Sequence, residues 1–153
     1  MSILERLAEL GISLPTPMKP VATYVPVSIA GKLAVVSGQL PAVEGKVAVT
    51  GKLGQTVSLE EGQYAARLCL INVLAQLNAA LPNGLSGIKQ IVRLGGFIAA
   101  PPEFTQHAVV MNGASDLAVA IFGEAGRHAR STVGVPSLPL DAAVEVEALV
   151  ELA

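Results

Sequence analysis

The spacing of apolar residues along the chain predicts two long helices. Between Leu59 and Leu81 apolar residues recur every three to four positions, in a stripe wide enough to cover a sheet. Ser58 and Glu61 precede this stretch at the spacing of a capping box, which predicts where the helix begins. A second helix is predicted over Phe104–Phe122, and Gly123 is a typical residue at a helix C-terminus.

Shorter runs rich in β-forming residues predict strands on both sides of these helices. Gly31 and Lys32 separate the first two runs, as in a β-hairpin, and a proline pair ends the long fourth run. The predicted strands are Val21–Ala30, Leu33–Ser37, Lys46–Thr50, Ile88–Ala99, Arg130–Val135 and Ala142–Leu152.

The order β-β-β-α-β-α-β-β predicts an α+β fold, a mixed six-stranded sheet with both long helices on one face. Near the N-terminus, Ser2 and Glu5 have the spacing of another capping box, and Gly11 is a typical residue at a helix C-terminus. Together they predict a short N-terminal helix. Three prolines between residues 14 and 20 then require an extended linker. We therefore expect a single domain over residues 1–153, of which 1–20 are an N-terminal extension.

Composition narrows the range of partners. Of 153 residues 52% are hydrophobic and 14% charged, a low charge fraction that favours burial of some surface against other subunits. The net charge is -2, no run of basic residues occurs, and aromatic residues make up 3%, so nucleic acid is not an expected partner. His107 and His128 lack metal-ligand spacing, and a single cysteine cannot form a zinc site, so no metal is expected.

Cellular location is predicted from the same features. The N-terminus is interrupted by charged residues and does not resemble a signal peptide. The longest uncharged stretch, 68–88, contains Asn72 and Gln76, which is unlike a membrane span. Cys69 has no partner for an intrachain disulfide. These features predict a cytoplasmic protein that does not associate with membranes.

Several residues could carry chemistry, each with a structural alternative. Arg130 could bind a small carboxylate through its planar fork of N–H groups, or form a structural ion pair. Glu145 and Glu147 alternate with apolar residues on the last strand, so both lie on the face opposite to those apolar residues. They could be catalytic carboxylates or simply solvated ones. Gly38, after Ser37, lets a backbone N–H approach a ligand, or forms an ordinary turn.

Four segments in order resemble the RidA/YjgF family of reactive-intermediate (imine) deaminases, also labelled endoribonuclease L-PSP-like. They are Tyr24, SGQLP at 37–41, ARSTVGVPSLP at 129–139 and VEVEAL at 144–149. Arg130 and Glu145 keep the family's separation of fifteen residues. The resemblance runs from Tyr24 to the C-terminus. The N-terminal extension and Thr132, where many members have cysteine, depart from it and match a longer subgroup.

The resemblance implies a chorismate-mutase-like fold and hydrolysis of enamine/imine intermediates of the 2-aminoacrylate type to 2-oxo acids and ammonia. Arg130 would then bind the substrate carboxylate and Glu145 would position the attacking water. The implied assembly is a homotrimer with sites in clefts between subunits, and no cofactor is implied. The residues that would line the pocket are Tyr24, Ser37, Gly38, Asn112 and Thr132.

Two other functions stay open at the level of sequence. The same Arg130 cleft could sense 2-imino or 2-oxo carboxylates without turnover, as a binding or regulatory trimer, because a fold does not determine a function. Cleavage of RNA is the third candidate, since the family also bears that label. The negative net charge and the missing basic stripe disfavour it.

Overall fold

A computed structural model describes residues 1–20 and 22–153, which fold into a mixed sheet with two long helices on one face. The α-helices in this part of the chain are α1 (Ile3–Glu9), α2 (Leu59–Ala80) and α3 (His107–Phe122). Its strands are β1 (Val27–Ala30), β2 (Leu33–Gln39), β3 (Ala42–Val43), β4 (Lys46–Val47), β5 (Ile88–Ala99), β6 (Ala129–Val135) and β7 (Val144–Leu152).

The main sheet has five strands in the order β1-β2-β7-β5-β6. Neighbours are antiparallel except β5 and β6, which are parallel and joined by the crossover helix α3. The α+β class and the single helical face agree with the sequence-based expectation. The expectation of six strands in the sheet is wrong, because the predicted strand Lys46–Thr50 is not part of it. Both sides of β2 are already paired, with β1 and β7, so the chain that follows cannot pair beside β2; β3 and β4 pair with each other in a separate hairpin.

Local signals explain where the helices begin and end. Both hydrogen bonds of the predicted capping box are present at the start of α2, between Ser58 and Glu61. The helix α3 begins at His107, three residues later than predicted, because the chain first makes a turn in which Phe104 N–H donates to the carbonyl of Pro101. Gly123 ends α3 with a φ of +61°, as its lack of a side chain allows.

The core lies between the helices and the sheet. Leu70 and Leu74 of α2 and Val146 of β7 are fully buried there, as is Leu94 of β5. The stretch His107–Gly126, which is α3 with the turn after it, is long and apolar enough to span a membrane by length and composition alone. In the fold it is the crossover helix, and it packs against α2, β5 and β6.

The N-terminal extension lies against this core. The capping box of Ser2 and Glu5 starts α1, whose Leu7 is buried. Leu4 of the same helix is exposed. The linker that follows is held to α2 by Gln76, whose Nε2 donates to the carbonyl of Met18. The predicted first strand begins later than expected, at Val27, and its first predicted residue, Val21, lies outside the described residues.

A bulge interrupts β2 where it crosses β7. Val36 pairs with Ala148 and Gln39 pairs with Val146, so two residues of β2, Ser37 and Gly38, lie opposite one residue of β7. Bulges bend a strand and redirect its side chains, and they are frequent next to active sites. This bulge brings the backbone of β2 close to the side chains of β7.

Candidate functional site

The two residues expected to be catalytic lie on opposite faces of the sheet within one chain. Arg130 pairs with Leu94, which is buried beneath the helices. Glu145 pairs with Phe97, on the other side of the pleat. Directly paired residues project to the same side of a sheet, and neighbours along a strand project to opposite sides. Arg130 therefore faces α3 and Glu145 faces away from the helices, and the predicted site residues form two groups.

The first group surrounds Glu145. A Cβ atom at Gly38 would lie 2.5 Å from Glu145 Oε2, so the glycine of the bulge is what lets the carboxylate rest against β2. Ser37 ties the bulge to the segment ahead of β1, because its N–H donates to Pro26 O at 2.9 Å and its hydroxyl donates to Val25 O at 2.8 Å. The structure thus places Gly38 against Glu145 with Ser37 beside it, and Tyr24 directly precedes Val25, whose carbonyl accepts from the Ser37 hydroxyl.

The surroundings of Glu145 differ from those of Glu147. Burial raises the pKa of the Glu145 carboxyl above its ordinary value, and the nearby charge of Glu147 raises it further. Glu147 itself lies 3.5 Å from Arg93 Nη1 in an ion pair. Among the residues that the structure describes, no side chain donates a hydrogen bond to Glu145 or forms an ion pair with it. A solvated structural role thus fits Glu147 better than Glu145.

A cavity of about 310 Å³ opens beside Gly38. Five parts of the chain form it: the N-terminal linker, the segment ahead of β1, the bulge and end of β2, Gln76 of α2, and the loop between β6 and β7. Most of its wall is apolar. The residues that line it are Met18, Lys19, Pro20, Tyr24, Pro26, Gly38, Gln39, Leu40, Gln76, Pro139 and Leu140.

The second group surrounds Arg130. Its Nη1 donates to Asn112 Oδ1 at 2.9 Å and to Ser115 Oγ at 3.1 Å, both on α3. Within residues 1–20 and 22–153 no Asp or Glu forms an ion pair with this guanidinium, and no hydrogen bond occupies its Nε or Nη2. The predicted structural ion pair is therefore not observed there, and one edge of the fork is left for a ligand.

Ser115 and His128 extend this group, and the sequence interpretation did not include Ser115. His128 Nδ1 is 2.7 Å from Gly126 O, which can only accept, so Nδ1 carries the proton. Nε2 lies 2.9 Å from Ser115 Oγ. The signals for both residues are in the sequence: Ser115 follows Asn112 by one helical turn, and His128 precedes Arg130 by two positions on the way into β6.

Thr132 lies two residues beyond Arg130 and on the same face of β6. Its hydroxyl is buried and has no hydrogen-bond partner among the described residues. The structure therefore places Thr132 beneath α3, apart from Tyr24 and Ser37. In the same part of the chain no three His, Cys, Asp or Glu side chains cluster closely enough to hold a metal ion.

The fold defines the class first: a mixed sheet with two helices on one face and a parallel β5–α3–β6 crossover is the chorismate-mutase-like α+β arrangement. A family model described as "YjgF/chorismate mutase-like, putative endoribonuclease" matches residues 4–152. The chain belongs to this family, as the motifs around Arg130 and Glu145 indicated.

Individual relatives resemble the chain over nearly its whole length. Protein TCP17 of Trypanosoma cruzi is 46% identical over 151 residues, which are 98% of this chain and 94% of that protein. A protein of unknown function from Agrobacterium tumefaciens, Atu1372, is 50% identical with a TM-score of 0.93, covering 99% of this chain and 92% of the other. A "putative endoribonuclease" from Shewanella oneidensis is 39% identical with a TM-score of 0.95, covering 99% and 100%.

Proposed function

We propose that this protein hydrolyses reactive enamine/imine intermediates that carry a carboxylate, releasing a 2-oxo acid and ammonia. The observation that carries the proposal is the position of Glu145. Its carboxylate is half-buried, lacks a cation partner among the described residues, and rests on Gly38 beside a cavity. Burial raises the pKa of this carboxyl, which makes the carboxylate a stronger base toward a bound water.

The proposed reaction uses Glu145 twice. As water adds to the imine carbon, one of its protons passes to the Glu145 carboxylate and from there to nitrogen, and the C=N bond becomes a C–N single bond in a carbinolamine. The carboxylate then takes the remaining proton from the new hydroxyl and gives it to nitrogen, the C–N bond breaks as the C=O bond forms, and ammonia leaves. No electrons are transferred to another molecule, so the chemistry requires neither an oxidant nor a cofactor. Orientation of the imine relative to the water supplies much of the acceleration.

Arg130 is the proposed anchor for the substrate carboxylate, and it would come from a second copy of the chain. Within one chain it faces away from Glu145. The helix-free face carries exposed apolar side chains at Leu33, Val35 and Val133, as expected of a surface that another subunit covers. We propose a homotrimer, as the family resemblance implies, in which Arg130 of one subunit completes the cleft that holds Glu145 of the next.

A second candidate is binding of a small carboxylate without turnover. The observation in its favour is that Asn112 and Ser115 hold the guanidinium in place without any contribution from Glu145. RNA cleavage, which the names of the family and of the Shewanella relative suggest, is the weaker candidate because the net charge is -2.

The test couples a pyridoxal-phosphate-dependent dehydratase to this protein and follows release of ammonia and 2-oxo acid. We expect the wild type to accelerate release, Arg130→Ala and Glu145→Gln to abolish the acceleration, and Glu147→Gln to retain most of it. Equal activity of Glu145→Gln and wild type would refute the mechanism. A folded wild type that binds 2-oxo acids in calorimetry but never accelerates release would favour the binding role.

A further inference from the structure

The cavity beside Gly38 is larger and more apolar than the smallest imino acids need. At about 310 Å³ it holds on the order of ten water molecules, and a three-carbon imino acid would leave much of it to water. Its apolar wall is built by the side chains of Met18, Pro20, Tyr24, Pro26, Leu40 and Leu140. Apolar lining with a few polar groups at one end is typical of sites for ligands that have an apolar part.

The N-terminal linker is held in place as one side of this cavity. Gln76 of α2 is 5% exposed, and its Nε2 donates to the carbonyl of Met18 at 2.8 Å. The same nitrogen lies 3.4 Å from Gln39 Oε1, and Gln39 Nε2 donates to Ser37 O at 3.0 Å. A buried amide network therefore connects the linker to the bulge that supports Glu145. Breaking a buried polar pair is costly, so Met18 keeps a defined position relative to the bulge.

The loop between β6 and β7 contributes to the cavity an exposed leucine in an unfavourable backbone conformation. Leu140 is 72% exposed and has a φ of +57°, a left-handed backbone that is unfavourable for a residue with a side chain. Glycine would be more stable there. Strained residues of this kind cluster at ligand sites, where the position of the side chain is used.

We infer that the cavity receives the side chain of the substrate, and that Met18 and Leu140 form a wall that selects 2-imino acids with branched or aromatic side chains. This inference rests on the proposed function of the Glu145 site. It gives the N-terminal extension a role in specificity: α1 and the linker deliver Met18 to the cavity.

The test measures kcat/KM on imino acids generated from alanine, leucine and phenylalanine by an amino-acid oxidase with catalase present. We expect the wild type to prefer the leucine and phenylalanine products. Met18→Ala and Leu140→Ala should each lower kcat/KM for these two by about tenfold, since losing apolar contacts in a pocket costs roughly that factor or more, and leave the alanine product little changed.

Two further variants separate specificity from stability. Leu140→Gly removes the side chain and relieves the left-handed strain, so it should lose the preference while its melting temperature rises. Leu4→Ala, an exposed leucine on α1 outside the cavity, should match the wild type. An active enzyme with no preference for size, or variants that lower kcat/KM equally for all three substrates, would overturn the inference while the deaminase proposal stands.

Failure of the proposed function has a different signature. If the folded wild type hydrolyses none of the three imines, that proposal fails, and calorimetry with pyruvate, 4-methyl-2-oxopentanoate and phenylpyruvate decides the inference about the wall. Tighter binding of the two larger acids, weakened in Met18→Ala, would support the inference that Met18 selects large apolar side chains. Equal affinities, or no binding, would overturn it.

Discussion

Glu145 and Glu147 are two residues apart on β7, share one face of the sheet, and differ in what surrounds them. Glu147 forms a partly exposed ion pair with Arg93, whereas Glu145 is half-buried against Gly38 and has no ion-pair partner among the described residues. Burial penalises the charged form of a carboxyl, and the charge of Glu147 adds to that penalty. The sequence alone offers no way to assign different chemistry to the two residues, and these contacts provide it.

The influence of Glu147 on Glu145 predicts a shift in the pH profile. Glu147→Gln removes a negative charge that raises the pKa of Glu145, so the acidic limb of the kcat/KM profile should move to lower pH. Glu60→Gln, an exposed change on α2, is the control and should leave the limb in place. If Glu147→Gln and the control have the same profile, Glu145 is not the base whose titration limits the reaction.

The raised pKa of Glu145 also predicts an effect on stability. A group whose pKa is raised by folding contributes stability that is full below its unfolded pKa and is lost as the pH rises through its folded pKa. Glu145→Gln should therefore unfold at higher denaturant concentration than the wild type at pH 7. The difference should vanish below the ordinary glutamate pKa of about 4.3. A variant less stable than the wild type at pH 7 would contradict the burial of an unpaired charge.

The contact between Gly38 and Glu145 predicts that Gly38→Ala loses activity with little loss of stability. In Gly38→Ala the new Cβ meets the flexible end of Glu145, so the carboxylate must move while the backbone can stay. Gly31→Ala is the matched control: it has open space but a φ of +61°, so it should cost about 1 kcal/mol and keep activity. The contrast is measured by coupled assay and denaturant unfolding, and full activity of Gly38→Ala would contradict it.

At the scale of elements, α2 and α3 cross at two glycines, Gly62 and Gly113, which differ in what a larger residue would meet. A Cβ at Gly113 of α3 would overlap the backbone carbonyl of Gln63 on α2, which cannot yield without moving the helix. A Cβ at Gly62 of α2 would meet only side-chain atoms of Leu53 and Val110. Small residues at this crossing allow the two helices to lie side by side over the sheet.

This difference predicts unequal costs for the same substitution. Glycine to alanine in a helix gains up to about 1 kcal/mol of helix propensity at both positions. Overpacking costs about 1–3 kcal/mol, and Gly113→Ala should bear the full cost because the obstacle is backbone. Gly62→Ala should be closer to neutral. Denaturant unfolding measures both, and equal midpoints would mean that the helices can separate freely.

At the scale of the whole molecule, the opposite orientations of Arg130 and Glu145 predict complementation between inactive variants. If each cleft combines Arg130 of one subunit with Glu145 of another, a co-refolded equal mixture of Arg130→Ala and Glu145→Gln should regain up to about a quarter of wild-type activity. Light scattering should give three times the chain mass of 15.6 kDa. An active wild type whose mixture stays inactive would place each site within one chain.

Features coded by neighbouring residues were predictable. The bounds of β5, the start of α2 and the alternation of β7 all agree with the sequence-based expectation, because capping boxes, prolines and two-residue periodicity act over a few positions. The family motifs likewise sit in contiguous segments, which is why the family was recognisable.

Features that depend on contacts between distant segments of the chain could not be predicted from the sequence. Whether the segment after β2 can pair beside β2 depends on β1 and β7 already occupying both of its sides, and β7 lies about a hundred residues away. The pairing of β6 with β5 and of β5 with β7 decides that Arg130 and Glu145 face opposite ways, since a shift of one residue in register would reverse either side chain. The sequence by itself therefore determined the elements, the family and the candidate residues. The tertiary structure decided which candidates meet, because register and pairing arise from contacts between segments far apart in the chain.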